Sequence, residues 1–149
     1  MNGADRYFVD SNVILYTYDT KNAAKRERAE AWLEWLWEET ACCLSWQVLQ
    51  EFYWNAVQKL RAEPRKVREH IVLLAQLKPP EVTLGLLERA WFWTDQARLA
   101  FWDAMIVATA ERTHCRWLLS EDFQSGRRFG SVTVLNPFES EPGGSPAAS

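Results

Sequence analysis

Short apolar runs, too brief for buried helices, alternate along this chain with longer stretches of helical periodicity, and that alternation leaves few folds open. Arg6-Tyr-Phe-Val9 reads as a strand ending at Asp10, and Ser11 to Tyr16 as the start of a helix. A charged helix is expected from about Asn22 to Glu39, with an apolar stripe at Ala29, Trp32, Leu33 and Leu36. Ala41-Cys-Cys-Leu44 is a second apolar run. From Trp46 to about Ala62, Val48, Phe52 and Ala56 recur every four residues, the spacing of one helical face. Pro64 suits the first turn of a helix over Arg65 to Leu77, which Pro79-Pro80 ends. Glu81-Val-Thr-Leu84 is expected as a third strand, followed by a helix through Ala97. Asp103 to Ala110 is apolar nearly all round, as a helix packed on several sides would be. Arg116 to Leu119 and Val132 to Leu135 are a fourth and a fifth strand. The pattern is that of an α/β domain with a central parallel sheet of four to five strands and helices on both faces. Right-handed crossovers bring the C-terminal strand ends to one edge, where sites form in such sheets.

With 149 residues the chain suits a single core. Residues 1–138 are expected to be that domain. Residues 139–149, rich in Glu, Ser, Pro, Gly and Ala, are expected to be a disordered tail. No apolar run approaches the roughly 18–20 residues that span a bilayer, and the N-terminus lacks a signal-peptide pattern, so a cytoplasmic location is the expectation. Three cysteines without a C-x-x-C pair fit buried free thiols better than a disulfide framework or a zinc site. The net charge of -3 argues against a static nucleic-acid-binding module. It argues less against a nuclease, because a metal site gathers acids whose charge bound cations offset. Nine tryptophans are many for this length; Trp32, Trp35 and Trp37 cannot share one helical face, so some are expected at the surface or under another chain.

The chemistry resides in four acids. Asp10 and Asp122 follow the first and fourth strands, and Asp103 opens the apolar helix and could face the same sheet edge. Each alone could instead be a helix cap. Glu51 lies in the second turn of its helix, where a cap role is weaker; it sits about 100° from Phe52, on the border of the buried face, where a lone Glu could simply be solvated. Together the four would repel one another and resist desolvation unless a divalent cation joined them. Carboxylates and waters are the ligands that Mg²⁺ prefers, whereas zinc would call for His or Cys. Such an ion would polarise a phosphoryl oxygen and activate water, the chemistry of phosphodiester hydrolysis.

Other chemistries lack their residues. His70 and His114, the two histidines, stand in a charged helix and at a helix end and are expected at the surface, which leaves no histidine pair for a metal-free ribonuclease. Neither a G-x-S-x-G elbow nor a P-loop is present. A D-x-D phosphatase would need an acid at position 12, which is Asn12, and Asp10 lacks the acidic neighbour of a receiver-type domain.

Phe8-Val-Asp-Ser-Asn-Val-Ile-Leu-Tyr16 resembles the opening motif of the PIN-domain family, in its VapC-type toxins. Ser45 to Tyr53 resembles the second motif, Phe101 to Ala108 the third, Leu118-Leu-Ser-Glu-Asp122 the fourth, and Val134-Leu-Asn-Pro-Phe138 a common ending. The motifs run in order from Arg6 to Phe138, and four in register are far more specific than any one. The resemblance implies a PIN-like three-layer fold and an endoribonuclease dependent on Mg²⁺ or Mn²⁺. By motif position it makes Asp10, Glu51, Asp103 and Asp122 the metal-site and catalytic acids, and Asn12 and Ser120 their hydrogen-bonding support. It also implies a homodimer and a small cognate antitoxin, with exposed aromatics among Trp32–Trp37 or Tyr53–Trp54 as contacts.

The mechanism expected from this pattern is in-line attack of metal-activated water on an RNA phosphodiester, leaving a 5′-phosphate and a 3′-hydroxyl. Asp10, Glu51 and Asp103 would hold the main ion, and Asp122 would complete the cluster or help a second one. Arg127 and Arg128, in a loop near Asp122, are candidate RNA contacts, as are Arg61, Arg65, Lys66 and Arg68; solvated surface charge is the plainer reading of both groups. A catalytically silent PIN-fold binding module and a structure-specific DNA nuclease of related fold are the alternatives. Intact acids weigh against the first, and the short chain without a helical arch against the second.

Overall fold

A computed structural model describes residues 5–143. Five strands, β1 (Tyr7–Val9), β2 (Cys42–Cys43), β3 (Trp117–Leu119), β4 (Arg128–Phe129) and β5 (Val132–Leu135), form one sheet in the order β2-β1-β3-β5-β4. Pairing is parallel except at the β4–β5 edge. Adjacent residues of β1 and β3 point to opposite faces, yet Phe8, Val9, Leu118 and Leu119 are all fully buried, so both faces are covered. The cover comes from α1 (Ser11–Tyr16), α2 (Ala23–Glu38), α3 (Trp46–Gln58), α4 (Pro64–Leu74), α5 (Leu84–Ala97) and α6 (Phe101–Arg112). Among these, α1 packs on α2 and α3, α3 on α4, and α5 on α6.

Local chemistry sets where the helices begin. The Ser45 hydroxyl accepts from the Val48 amide at 3.1 Å, capping α3 at a buried position. Because α3 carries Glu51, this cap also sets the height of that carboxylate above the sheet. Ser45→Ala is expected to cost about 1 kcal/mol, read as a lower urea midpoint with unchanged slope.

The segment Glu81–Leu84 is not a strand. Thr83 caps α5 instead, its hydroxyl accepting from the Leu86 amide at 3.2 Å, and Val82 and Leu84 are exposed. Thr serves strands and caps alike, and four residues after Pro79-Pro80 carry too little pattern to separate the two. Strand β4 was not foreseen; Gly130, at φ +61, makes the turn that folds it back on β5. Helix α3 stops at Gln58 rather than Ala62, with Arg61 left-handed at φ 53. The helix expected to reach Leu77 passes at Ala75 into a single 3-10 turn.

The three crowded tryptophans divide as helical geometry demands. Trp32 is buried, Trp35 half-buried and Trp37 exposed. The Trp32 indole donates to the carbonyls of Pro137 and Ser140, both at 2.9 Å, and Arg28 pairs with Glu141 at 2.8 Å, so residues 137–141 lie against α2. The remainder of the expected tail, 144–149, falls outside the described residues. All three cysteines are buried and free. His114 is exposed, as expected. His70 is only half-exposed: it meets Phe52 edge-on at 5.5 Å and its Nδ1 lies 2.9 Å from the Tyr18 hydroxyl. Among the described residues no helix is long and apolar enough to cross a membrane.

Candidate active site

The chain leaves β1 at Val9 and turns at once into α1, which makes Asp10 both the end of a central strand and the cap of a helix. Its Oδ1 accepts from the Ser11 amide at 2.7 Å, and its Oδ2 accepts from the Ser120 hydroxyl at 2.7 Å. Ser120 follows the neighbouring strand β3, and the Asp10 amide donates to Leu119 at 3.0 Å, so the two strand ends are stitched together at this edge. Asp10 is therefore a helix cap, and its second oxygen faces the neighbouring strand end.

Asn12, in the first turn of α1, ties in the second acid. Its Nδ2 lies 3.0 Å from Asp122 Oδ2, 3.3 Å from Ser120 Oγ and 3.4 Å from Asp10 Oδ2. The Ser120 hydroxyl in turn accepts from the Asp122 amide at 3.1 Å. Glu51 arrives from α3: its Oε2 accepts from the Ser11 hydroxyl at 3.0 Å and its Oε1 from Gln47 at 2.8 Å, one helical turn back. Asp103 stands in the first turn of α6, which Ala100 rather than an acid caps, and its side chain is exposed.

The acids feel one another's charge. Burial pushes the Asp10 carboxyl up to about 6, aided by the charges of Asp122 and Glu51 and opposed by hydrogen bonds from Ser120 and Ser11. Asp103 is also raised, first by partial burial and then by Asp122 and Glu51, which places it within reach of the same field. Yet among the described residues no three acidic, His or Cys groups stand close enough together to hold an ion as they are. Mg²⁺ does not need such a cage: it keeps several waters and takes one or two carboxylates plus substrate oxygens. The donors are all hard oxygens, and the deepest of them, 5% exposed, is held against its preferred ionised state. The residues therefore fit a hard dication rather than zinc.

Sequence reasoning passed over three contributors. Ser11 links the shells of Asp10 and Glu51; its neighbour Asp10 drew the attention. Gln47, four residues before Glu51, was legible in principle from helical spacing. A third group clamps the loop that carries Asp122: Glu121 accepts from Tyr16 at 2.5 Å and pairs with Lys25 at 2.7 Å. Of the expected RNA contacts, Arg127 donates to the Ala97 carbonyl at 3.0 Å and lies over Phe129, while Arg128 is exposed on β4. Arg65 and Lys66 pair with Glu69 and Glu63 on their own helix, and Arg68 donates to Tyr53.

The model of the PIN domain matches residues 7–128, most of the chain and every acid of this site. The chain belongs to the PIN-domain family. Solved structures share its fold. VapC20 of Mycobacterium tuberculosis, a Sarcin-Ricin loop cleaving toxin, superposes with a TM-score of 0.60 at 21% identity, over 78% of this chain and 91% of that one. VapBC2 of Rickettsia felis, bound to a DNA fragment from its promoter, gives 0.57 at 12% identity, over 86% and 96%. No curated protein sequence matches. The PIN-domain match ends at Arg128, so the β4–β5 hairpin completes the sheet beyond it.

Proposed function

We propose that this PIN domain is an endoribonuclease dependent on Mg²⁺ or Mn²⁺, and the toxin of a toxin–antitoxin pair. The observation that carries the reading is Asp10: a buried carboxylate, raised towards neutrality, wired through Ser120, Asn12 and Ser11 to Asp122 and Glu51. Asp10, Glu51 and Asp103 would hold the main ion, with Asp122 completing the set or serving a second. Bound there, the ion supplies Lewis-acid polarisation of the phosphoryl group and a more acidic water. The chain's own part is orientation. Ser120 and Asn12 fix the carboxylates of Asp10 and Asp122, and Ser11 and Gln47 fix that of Glu51. Water attacks in line with the leaving 3′-oxygen, and the products carry a 5′-phosphate and a 3′-hydroxyl.

Ser120→Ala removes the hydroxyl that orients both Asp10 and Asp122, and is expected to lower cleavage about 10- to 100-fold with the fold intact by circular dichroism. The functional reading is tested by incubating the purified chain with structured RNA and with flapped DNA, with magnesium and with chelator. Magnesium-dependent cleavage of the RNA is expected; preference for the DNA, or cleavage in chelator, rejects the reading.

Support for a toxin role comes from the VapC fold of VapC20 and VapBC2. A small cognate antitoxin would cover exposed aromatics such as Trp54 on α3, and the toxin would pair as a homodimer in the cytoplasm. Light scattering of the purified chain checks the dimer.

A further inference from the structure

Trp102 directly precedes Asp103, and its indole is 63% exposed, on a helix whose residues 104–110 are all buried. Its position is fixed. Gln47 donates both to Glu51 Oε1 at 2.8 Å and to the Trp102 carbonyl at 3.1 Å, so one side chain joins the backbone of Trp102 to a site acid. The ring rests edge-on against Phe101, centroids 4.9 Å apart at 70°, and Phe101 is itself packed on the core. An exposed indole therefore stands beside Asp103 in the chain, on a backbone tied through Gln47 to Glu51.

Charge limits what could bind beside it. A substrate phosphate must lie over four acids in a chain of net charge -3. Lys25 is engaged with Glu121 and Arg127 with the Ala97 carbonyl, which leaves less cationic attraction for phosphate, the usual source of nucleic-acid affinity. Base-on-aromatic stacking needs no cation and accepts any base. It does need a base that is out of a duplex.

We propose that Trp102 is a stacking platform for one unpaired nucleobase beside the phosphodiester that is cut. This subsite rests on the ribonuclease reading and assigns to Trp102 the task of holding the unpaired base. Phe at this position keeps a smaller π-face, and Ala keeps none.

The test uses a short dye-labelled single-stranded RNA and the same RNA annealed to its complement, with binding read by anisotropy in an Asp10→Asn background with magnesium present. Trp102→Ala is expected to weaken single-strand binding roughly ten-fold or more, to change duplex binding little, and to be largely rescued by Trp102→Phe. With Asp10 restored, the same substitution is expected to raise KM with a smaller effect on kcat. Single-strand binding unchanged in Trp102→Ala, as for a residue that meets only a protein partner, overturns the platform, as does equal loss on single strand and duplex. Cleavage by the unmodified chain separates the two readings. If the chain cleaves RNA and Trp102→Ala changes neither binding nor KM, the platform alone fails. If it binds single strands through Trp102 but never cleaves, the nuclease reading alone fails.

Discussion

Asp10→Asn is expected to lower magnesium-dependent RNA cleavage by roughly a thousand-fold or more, while the metal-free protein at pH 7 becomes more stable than its parent. The activity loss follows from charge. Asn preserves size and can still accept from the Ser11 amide, but it would bring no anion to the dication proposed to sit with Glu51, Asp103 and Asp122. A lost metal interaction worth several kcal/mol in the transition state is about three decades in rate. The stability gain follows from burial. Asp10 is 5% exposed and its carboxyl is raised to about 6, so at pH 7 the metal-free fold must hold an ionised group that it disfavours. A neutral amide removes that cost, less the roughly 1 kcal/mol of a hydrogen bond that Ser120 must re-form with the opposite polarity. Cleavage assays and urea melts in chelator read the two effects separately. An ordinary core polar residue would give the reverse pattern, lower stability with activity falling only as the protein unfolds.

The positions of the four acids, and of Asn12 and Ser120 through the motif resemblance, were legible in the sequence, whereas Ser11, Lys25 and Tyr16 were not. Asp10 and Asp122 stand where apolar strands end, a place that one-dimensional pattern reveals because strand length and sheet edge are linked. Asp103 was marked by the apolar helix that it opens. Glu51 was the hardest of the four: its position on the helix border is compatible with plain solvation, and only its register with the other motifs singled it out. Ser11, Lys25 and Tyr16 act through partners 40, 96 and 105 residues away, distances along the chain that periodicity does not span.

The fold was legible for a similar reason and failed in similar places. Strands β1, β3 and β5 are apolar runs whose neighbours cover both faces, so their composition reports their burial. Strand β4 has two residues, one of them the exposed Arg128, and is made by its pairing with β5 rather than by its own sequence. Glu81–Leu84 erred the other way: Val82 and Leu84 suggested a strand, but both are exposed beside a capping Thr83. His70 was expected at the surface because its helix is charged, yet Phe52 and Tyr18 cover it from other elements.

Metal-free stability is expected to fall by about 3 kcal/mol through Asp10 as pH rises from about 4 to above 6, and magnesium is expected to reverse the fall. The folded carboxyl titrates near 6 and the unfolded one near 3.8, so between those values the native state binds more protons and each pH unit costs about 1.4 kcal/mol. Asp103, raised in the same direction, adds to the trend. His70 opposes it: burial lowers its pKa, so its contribution is lost as pH falls below its unfolded value of about 6.5. The total curve mixes these groups, and the difference between the parent and Asp10→Asn isolates the first. That difference should grow from near zero at pH 4 to a plateau above pH 6 in chelator. If magnesium binds the ionised carboxylates of the native state, as the proposed function requires, then at a hundred times its dissociation constant it should add about 2.7 kcal/mol to the parent at pH 7. In Asp10→Asn the addition should be much smaller, because the anion that most needs the ion is gone. Parallel curves for the two proteins across this range, with and without magnesium, would mean that Asp10 titrates like an ordinary exposed carboxylate, and that the site has no buried charge for a dication to stabilise.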